Sequence, residues 1–504
     1  MPGRLDPRHR VILERLCALV AVLGLLAQAL QIAVRATQPL GNSDVFWQVR
    51  TGEITLTTGH VPAVDPFSYT IAGDPWNNHE WAFEILAALL HRSFGWGAFR
   101  LLVLLVWGGA AILVAAPLMR RAGLGPALLV LSLFHALAGY KMKPVPQALS
   151  MPLLLGAIHL FRGPIMLGSR RRVAALGLYL LVWGNLTAEA LTFLPILFLD
   201  QLCLRRAAAE AHRDPPPDRV VLLLVILASL APLVNPPWSS TLDYAVRGAA
   251  VNRLVNSEFT PLWSAAAAVQ PVAKIAGRIV VALYVAWTAR VLLRSRERWA
   301  TLRSHGVGLV AVLAAVLVER DLWLLVWPAG QMLIALARQD RLATGAAATA
   351  LSLVLGGVYT GEIGWSNAAT WAAWRDGRYR TTHLDDALIP TACIDRLADA
   401  PAGTRLYTLR LWASYAIWRV PQVKVFYDGR NLEYGTEIAE AGARVWTGGP
   451  NARRILDATG TEVVIARPGW DELPGIAGGP WQTTMAAERC AVFMRGAAQP
   501  AQSK

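Results

Sequence analysis

Long apolar segments alternate with short polar segments from about residue 11 to residue 361 of this 504-residue chain. Most apolar runs contain roughly 15 to 25 residues, enough for a helix to cross a hydrocarbon layer ~30 Å thick. This pattern predicts a mainly α-helical protein that spans a membrane many times. The predicted runs are about 11–34, 79–95, 99–119, 124–140, 145–161, 173–186, 189–204, 219–235, 272–293, 307–319, 322–337 and 342–361.

The pattern changes beyond residue 370, where apolar runs become shorter and charged residues more frequent. Helical periods alternate there with short β-like runs, which is typical of a small α/β domain. The sequence therefore predicts a transmembrane domain over 1–361, with an outer loop at 36–78, and a soluble α/β domain over 370–504. The predicted helices are 384–398, 411–418, 436–446 and 451–458, and the predicted strands are 404–409, 422–427, 462–466, 481–485 and 490–495.

The composition supports membrane insertion, because 55% of the residues are hydrophobic and only 16% are charged. The net charge of +14 does not indicate a nucleic-acid partner. Only about +1 of it lies beyond residue 361, and most of the excess forms short basic clusters between apolar runs, as in cytoplasmic loops. These clusters predict a cytoplasmic N-terminus and place 36–78, 236–271 and the C-terminal domain outside. They lie at 170–172, 205–219, 294–303 and 338–341.

Strict alternation of crossings fails by one under this topology. Eight runs precede residue 236, whereas an odd number is needed to bring the chain back outside. The segment KMKPVPQ (141–147) interrupts two short runs, so we expect the broken or re-entrant stretch at 124–161. Non-helical backbone at that depth must line a cavity or be buried in protein. About 11 crossings remain.

The four cysteines lack the spacing of metal ligands. Cys17 and Cys203 lie in apolar runs and are expected to be inert. Cys393 and Cys490 both fall in the C-terminal domain, and they could pair if that domain faces an oxidising compartment.

The first outer loop begins with GNSDVFWQVRTGE (41–53). A helix starting near Asp44 would place Phe46, Val49 and Arg50 at three- and four-residue spacing beside Trp47, a pattern suited to the membrane interface plane. The whole loop is long for a plain connector. This length and the mixture of charge with aromatic residues favour a functional segment.

Further polar and aromatic positions give the loop a distinctive order, namely Gly52, Gly59, Pro62, Asp65–Thr70, Gly73, Trp76 and His79–Trp81 after Asp44 and Trp47. This order resembles the first outer loop of bacterial membrane glycosyltransferases of the GT-C fold. That family is related to protein O-mannosyltransferases, aminoarabinose transferases and catalytic subunits of oligosaccharyltransferase. Further similarities are Trp183–Leu186, Asn235–Pro236, Glu258–Pro261, Asp428–Arg430 and Tyr434.

The resemblance implies inverting transfer of a sugar from a polyprenyl-phosphate donor to a lipid, glycan or protein of the cell envelope. The reaction would occur at the outer face of the bacterial inner membrane, with the C-terminal domain in the periplasm. In this fold an acidic residue early in the first outer loop lies near the donor phosphate and the acceptor. Asp44 matches that position and would act as general base. Alternatively, Asp44 caps its helix.

The resemblance also suggests substrate-binding residues in this loop. Trp47, Asp65, His79 and Glu80 belong to the matching order. His79 lacks the second histidine of a zinc-protease helix, because Phe83 occupies that place. No cofactor follows from the sequence, although a divalent cation or an acceptor hydroxyl at Asp65 and Glu80 stays open. The alternative is that His79 and Glu80 merely begin the next helix.

Cations at membrane depth tend to mark function, because burying them is costly. Lys141 and Lys143 would bind the lipid phosphate if their segment faces outward, or would reach the inner surface by snorkelling. Asn185 and Glu189 flank a polar turn, where Glu189 replaces a histidine of related sequences. Arg430 belongs to a turn that either binds the acceptor or forms a structural pair with its neighbouring aspartate.

Two other interpretations remain at this point. The chain could be a non-catalytic transporter of lipid-linked glycan, or an assembly scaffold, with the same architecture. It could also be a membrane sensor with an outer α/β domain, but a sensor leaves the elaborate first loop unexplained.

Overall fold

The structure is a computed structural model that describes residues 6–37, 40, 44–161, 170–187, 189, 261–264, 271–295, 298–362, 375, 384, 388–477 and 479–496. The chain is mainly helical, with a small sheet near its C-terminus. Outside the described residues lie the predicted crossing at 219–235, nearly all of 189–204 and most of the outer segment 236–271.

The described chain divides into two compact units. The helical unit contains Met1–Gln38, Arg100–Pro232 and Asn256–Thr381. The mixed unit contains Pro39–Phe99, Leu233–Val255 and Thr382–Lys504, so the first outer loop is grouped with the C-terminal segment. The predicted boundaries at 361 and 370 stay a prediction.

Eleven α-helices are described before residue 363. The list is α1 Pro7–Ala36, α2 Asp44–Thr58, α3 Trp81–Phe94, α4 Gly97–Arg121, α5 Leu124–Ala138, α6 Pro146–Phe161, α7 Arg170–Leu186, α8 Pro271–Arg294, α9 Arg298–Leu317, α10 Val326–Gln339 and α11 Arg341–Glu362. Four of these described helices, namely α1, α4, α8 and the Arg341–Val358 part of α11, are long and apolar enough to cross a membrane. The number of about 11 crossings stays a prediction.

Helices α1 and α5 run parallel to each other. Gln28 Nε2 donates to Ser132 Oγ at 3.2 Å, and Arg35 Nη1 donates to the Gly139 carbonyl at 3.3 Å. Both pairs have a sequence separation of 104 residues. A constant separation means that the two helices advance together, so they run in the same direction.

A parallel pair of crossings requires an odd number of crossings between them. Two predicted runs lie between α1 and α5, and they correspond to α3 and α4. The 14 residues of α3 span only about 21 Å, and α3 belongs to the mixed unit. We therefore expect the non-crossing run at 79–95, while the broken or re-entrant stretch expected at 124–161 stays a prediction. Removing it from the eight runs before residue 236 leaves seven.

The predicted interruption at KMKPVPQ is nevertheless present. A 3₁₀ turn at Gly139–Lys141 follows α5, and the next helix begins only at Pro146. Proline lacks a backbone N–H and restricts the residue before it, which explains why the helix stops here.

The mixed unit contains a five-stranded sheet of order β2-β1-β3-β5-β4. Strand β1 is parallel to β2 and β3, whereas β5 is antiparallel to β3 and β4. The predicted strands are confirmed, four with shorter bounds and β4 with one more residue, namely β1 Arg405–Thr408, β2 Lys424–Val425, β3 Val463–Ala466, β4 Trp481–Ala486 and β5 Ala491–Arg495. Besides α2 and α3, its described helices are α12 Thr391–Asp395, α13 Arg410–Arg419, α14 Asn431–Thr447 and α15 Ala452–Ala458.

The first outer loop extends this sheet beyond β2. Ser68 forms a parallel bridge with Val425. The Val425 N–H donates to the Phe67 carbonyl at 3.0 Å, and the Tyr69 N–H donates to the Val425 carbonyl at 3.1 Å. Residues 67–69 are thereby held along the edge of the C-terminal sheet.

Cys393 and Cys490 form a disulfide that joins α12 to the residue preceding β5. This pairing was expected if the C-terminal domain faces an oxidising compartment. Cys17 is a free thiol.

The apolar face of α2 is covered by protein. Phe46 and Val49 have no exposed surface, and Trp47 is 7% exposed. The Phe46 ring lies 4.9 Å from that of Trp96 and 5.1 Å from that of Tyr415 on α13. The expectation that this face lies in the membrane interface is therefore wrong, because α3 and α13 occupy it.

Gly52 permits the close approach of α2 to α3. A methyl group at this position would collide with the Glu84 carbonyl and with Ala88. Backbone cannot move aside as a flexible side chain can, so the glycine is required for this packing.

We predict that Gly52→Ala lowers the stability of the protein by about 1–3 kcal/mol, because overpacking forces the two helices apart. The measurement is the thermal unfolding midpoint in detergent. Gly109→Ala in α4 is the matched control, since that glycine has open space around it and alanine is favoured in helices. Equal midpoints for the two variants would contradict the described helix contact.

Candidate functional site

The residues suggested by the sequence fall into both compact units. The mixed unit contains Asp44, Trp47, Asp65, His79, Glu80 and Arg430. The helical unit contains Lys141, Lys143, Asn185 and Glu189.

Asp44 is the first residue of α2 and is half-buried. A methyl group on Gly429 would collide with its carboxylate, and the same methyl would lie 3.6 Å from Trp47 Nε1. The absence of a side chain at Gly429 thus lets the turn 428–430 approach the start of α2. A carboxylate in the first turn is also stabilised by the helix dipole. Asp44 therefore lies in the first turn of α2 with a carboxylate that faces the turn 428–430.

Arg430 is buried beside two carboxylates. Its Nη2 lies 2.7 Å from Asp65 Oδ1 and 2.6 Å from Asp428 Oδ2. The same nitrogen donates to the Tyr434 hydroxyl at 3.0 Å. The guanidinium carbon also lies 4.7 Å from the centre of the Trp76 ring. The structural pair between Asp428 and Arg430 is thus present, and Asp65 extends it to the first outer loop.

The charge balance keeps Arg430 protonated. Burial alone would lower its pKa, but the carboxylates of Asp428 and Asp65 raise the pKa well above its ordinary value. Leaving a buried charge without its partners costs several kcal/mol, on the order of 3–5 kcal/mol in measured cases. Arg430 and the two aspartates therefore form one interdependent cluster, which we call the Arg430 cluster.

The contacts of Asp65 give it a structural role. One oxygen accepts hydrogen bonds from the Ser68 backbone N–H at 2.8 Å and from the Ser68 hydroxyl at 2.5 Å. The other oxygen, Oδ1, forms the ion pair with Arg430. Both oxygens are thus engaged inside the mixed unit, and the structure gives no support to Asp65 as a ligand for an ion or an acceptor.

His79 and Glu80 lie at the start of α3, as the structural alternative expected. His79 Nε2 is 3.7 Å from Glu80 Oε1. Glu80 also accepts a hydrogen bond from Gln48 Nε2 at 3.4 Å. Burial lowers the pKa of His79 to about 4, so its ring is neutral near pH 7.

Buried polar atoms lie around these residues, and four of the side chains that carry them, Gln48, Asn77, Glu84 and Glu433, were not suggested by the sequence. Glu84 is fully buried and accepts from Asn78 Nδ2 at 2.6 Å. Burial raises the pKa of Glu84 well above its ordinary value. Within the described ranges, six groups of these segments have an atom without a hydrogen-bond partner, namely Trp47, Gln48, Asn77, Glu84, Arg430 and Glu433. Glu84 could have been found, because a carboxylate inside an apolar run is itself a signal.

The pKa of Glu433 lies close to neutral pH. Burial raises its pKa from 4.5 to about 8, although Arg430 opposes this shift. The residue lies in the first turn of α14, directly after the Arg430 cluster. Its protonation therefore changes the charge beside the cluster between neutral and mildly alkaline pH.

In the helical unit, Lys141 and Glu189 form a pair. Lys141 Nζ is 3.5 Å from Glu189 Oε1 and 6.0 Å from the centre of the Trp323 ring. Lys141 is only 4% exposed, which does not fit snorkelling, whereas Lys143 is exposed. Asn185 is bound to its own helix, since its Nδ2 donates to the Leu181 carbonyl at 2.7 Å.

Among the residues that the structure describes, no group of three or more histidine, cysteine or acidic side chains is arranged to hold a metal ion. The divalent cation left open by the sequence takes no part in the proposals below.

We predict that Glu433 makes the protein less stable as pH rises toward 8. The folded state keeps a proton that the unfolded state has released above pH 4.5, so the free energy of unfolding falls with pH across this window. Glu433→Gln removes this dependence. At pH 8.5 its thermal midpoint should exceed that of the unchanged protein by an amount on the order of a few °C, and the two should converge near pH 5.

Exposed Glu437, four residues further along and beyond the kink at Gly435, supplies the control variant Glu437→Gln. His79, whose pKa burial lowers to about 4, is present in every protein compared, so its titration cancels when midpoints are compared at the same pH. Parallel pH curves for Glu433→Gln and Glu437→Gln would refute the assignment.

The sequence matches no protein-family model and no curated protein. Among solved structures, it is similar to the oligosaccharyltransferase of Archaeoglobus fulgidus tethered to an acceptor peptide with an NVT sequon. The TM-score is 0.55 at 13% identity, covering 96% of this chain and 75% of that chain. The apo form of that enzyme gives a TM-score of 0.52 at 12% identity, covering 90% and 70%.

The archaeal oligosaccharyltransferase AglB of the same organism, in complex with an inhibitory peptide and a dolichol-phosphate, gives a TM-score of 0.50 at 11% identity, covering 96% and 75%. Likeness at this level of identity concerns the fold. Together with the long apolar helices, it supports a multi-pass membrane protein. The expected GT-C fold is thereby supported.

Proposed function

We propose that this protein is a membrane glycosyltransferase that moves a sugar from a polyprenyl-phosphate donor to a cell-envelope acceptor, with inversion. The observation that carries the proposal is the Asp44 carboxylate, which lies at the start of α2 against Gly429 in a chain with the GT-C fold. This is the acidic position that the family resemblance assigns to catalysis.

The similar solved structures support the substrate classes. One of them contains a dolichol-phosphate, which is a polyprenyl phosphate, and two contain peptides. A lipid-linked donor is therefore the first candidate for this chain. A peptide is the first acceptor to test, followed by lipid and glycan acceptors.

In the proposed reaction, Asp44 takes the proton of the acceptor as the acceptor atom attacks the anomeric carbon. The bond between that carbon and the phosphate oxygen breaks, and the lipid phosphate leaves on the opposite side, which inverts the configuration. The positive end of the α2 dipole stabilises the Asp44 carboxylate before the proton arrives. The Arg430 cluster holds the turn 428–430 beside it.

Lys141 is the proposed ligand of the lipid phosphate. A lysine buried among apolar helices is costly unless it is paired, and here its described partner is Glu189. An incoming phosphate would share or replace this partner. Exposed Lys143, two residues further along, would supply a second cation.

The proposed location is the bacterial inner membrane, with the N-terminus in the cytoplasm and the mixed unit outside. Basic residues stand at or just before the start of α1, α5 and α11, as the positive-inside rule expects of cytoplasmic helix ends. The disulfide between Cys393 and Cys490 supports an oxidising compartment for the mixed unit.

We predict that Asp44→Asn reduces sugar transfer by about 10²–10⁴-fold, because asparagine keeps the shape of the side chain but cannot accept the proton. The assay follows transfer from a polyprenyl-phosphate sugar by purified, bilayer-reconstituted protein. Asp74→Asn, at an exposed position of the same outer loop, is the control and should retain activity.

Undiminished transfer by Asp44→Asn would remove the general base from the proposal. Absence of transfer by the unchanged protein, combined with binding of the lipid donor, would instead favour the non-catalytic carrier or scaffold.

We also predict opposite effects for the two members of the buried pair. Lys141→Gln should raise the KM for the lipid donor by about 10–100-fold, because the free energy of a hydrogen bond to a charged group corresponds to a factor of this size. Glu189→Gln should lower it, because the lysine then keeps its full positive charge for the phosphate. A raised KM in both variants would show that Glu189 assists binding rather than competing with the donor.

A further inference from the structure

Arg410, the first residue of α13, is a half-buried cation whose described partner is neutral. Its Nη1 donates to Asn431 Oδ1 at 2.9 Å, and none of the ion pairs among the described residues includes it. By contrast, three other arginines of the mixed unit have acidic partners, namely Arg419, Arg430 and Arg444. The charge of Arg410 is therefore available to an anionic ligand.

Arg410 lies close to Asp44 along the turn 428–431. Gly429 lies against the Asp44 carboxylate, and the Asn431 N–H donates to the Gly429 carbonyl at 2.9 Å. Asn431 in turn holds Arg410. Two residues span at most about 7 Å, so the path from Asp44 to Arg410 is on the order of 15 Å, the length of about five extended residues.

An exposed apolar patch follows directly after Arg410. Leu411 is 48% exposed and Leu388 is 55% exposed. Trp412 lies between them and Trp446, because its Nε1 donates to the Leu388 carbonyl at 2.9 Å and its ring lies 5.4 Å from the Trp446 ring. Large apolar side chains exposed together mark an interaction site. We call Arg410, Asn431 and these four residues the Arg410 strip.

The chemistry of the Arg410 strip fits an extended peptide better than a glycan. A sugar ring stacks on the open face of an aromatic ring, but the two tryptophans are half-buried and pack edge to face at 89°. The most exposed apolar groups are two leucines, which suit apolar side chains. Arg410 uses Nη1 for its described bond, so Nε and Nη2 can form two parallel hydrogen bonds with a carboxylate.

We propose that the Arg410 strip binds the acceptor, and that this acceptor is a peptide with an Asp or Glu within about five residues of the atom that receives the sugar. Arg410 binds the acidic side chain, and Leu411 and Leu388 cover an apolar side chain beyond it. Arg410 is thus a specificity-determining residue. The assignment rests on the proposed function, because only sugar transfer makes the bound peptide an acceptor.

The test measures peptide binding to the full chain in nanodiscs, with no sugar donor present. Three pools of eight-residue peptides carry one Asn, Ser or Thr at a fixed place and a Glu, a Gln or a Lys two to five residues away. The other places are leucine or glycine, and the retained peptides are counted by mass spectrometry. Arg410→Glu reverses the charge, and Arg454→Glu, at an exposed position of α15, is the matched control.

We expect the unchanged protein and Arg454→Glu to retain the Glu pool about tenfold more than the Gln pool, as a charge-assisted hydrogen bond predicts, and the Lys pool least. Arg410→Glu should reverse this order. Leu411→Ser should lower the retention of all three pools without changing their order. Equal retention of the pools by the unchanged protein, or the same order in Arg410→Glu, would overturn the assignment.

A second variant covers the case in which Arg410→Glu does not fold, as judged by its thermal midpoint. Arg410→Gln adds no charge and should lose the preference for Glu over Gln. Oligosaccharides containing uronic acid are offered in parallel, and their retention through Arg410 in place of the peptides would overturn the peptide acceptor.

Binding and transfer can fail separately in this design. Sugar transfer by the unchanged protein with equal retention of the three pools would refute the Arg410 strip and leave the proposed function standing. Selective retention of the Glu pool without transfer to any acceptor would refute the proposed function and leave the binding of acidic peptides standing.

Discussion

The buried ion pairs of Arg430 are the interaction on which the mixed unit depends most. They join Asp65 of the first outer loop to Asp428 of the turn after β2. Apolar packing alone would not fix the relative position of these segments, because apolar contacts are non-directional. A planar guanidinium between two carboxylates sets both distance and orientation.

The close approach of Gly429 to Asp44 follows from this constraint. Once the Arg430 cluster has positioned the turn, any side chain at residue 429 would displace the Asp44 carboxylate. The edge pairing of Ser68 with Val425 also stabilises this arrangement, because it holds the loop that carries Asp65 against the sheet. The candidate site is therefore built by segments distant in sequence, and its accuracy depends on buried polar contacts rather than on a single helix.

Local pattern predicted much of this fold. The strands of the C-terminal sheet were predicted because alternating or continuous apolar runs lay between turn residues, as at Val463–Ala466. The break at Lys141–Pro146 was visible from its prolines. The disulfide could be stated only conditionally, since spacing in sequence does not reveal that Cys393 and Cys490 meet.

Other features could not be predicted from the sequence, for physical reasons. Hydropathy counts apolar residues and not their partners, so α3 resembled a crossing, and Phe46 and Trp47 resembled lipid anchors although protein covers them. Asp44, Asp65 and Arg430 were each identified, but their assembly into one unit required contacts across most of the chain. Gln48, Asn77 and Glu433 have no local signal, because their positions matter only after this assembly.

The pairing of residues 67–69 with the sheet also constrains how the protein is made. Lys424 Nζ contacts the Pro66 carbonyl across 358 residues. At ribosomal rates of about 5–20 residues per second, the first outer loop waits roughly 20 to 70 s before its sheet partner exists. During that time Asp65 lacks Arg430, and only the neighbouring helices α2 and α3 can pair. The first outer loop is thus completed only after its partner strand in the C-terminal sheet has been synthesised.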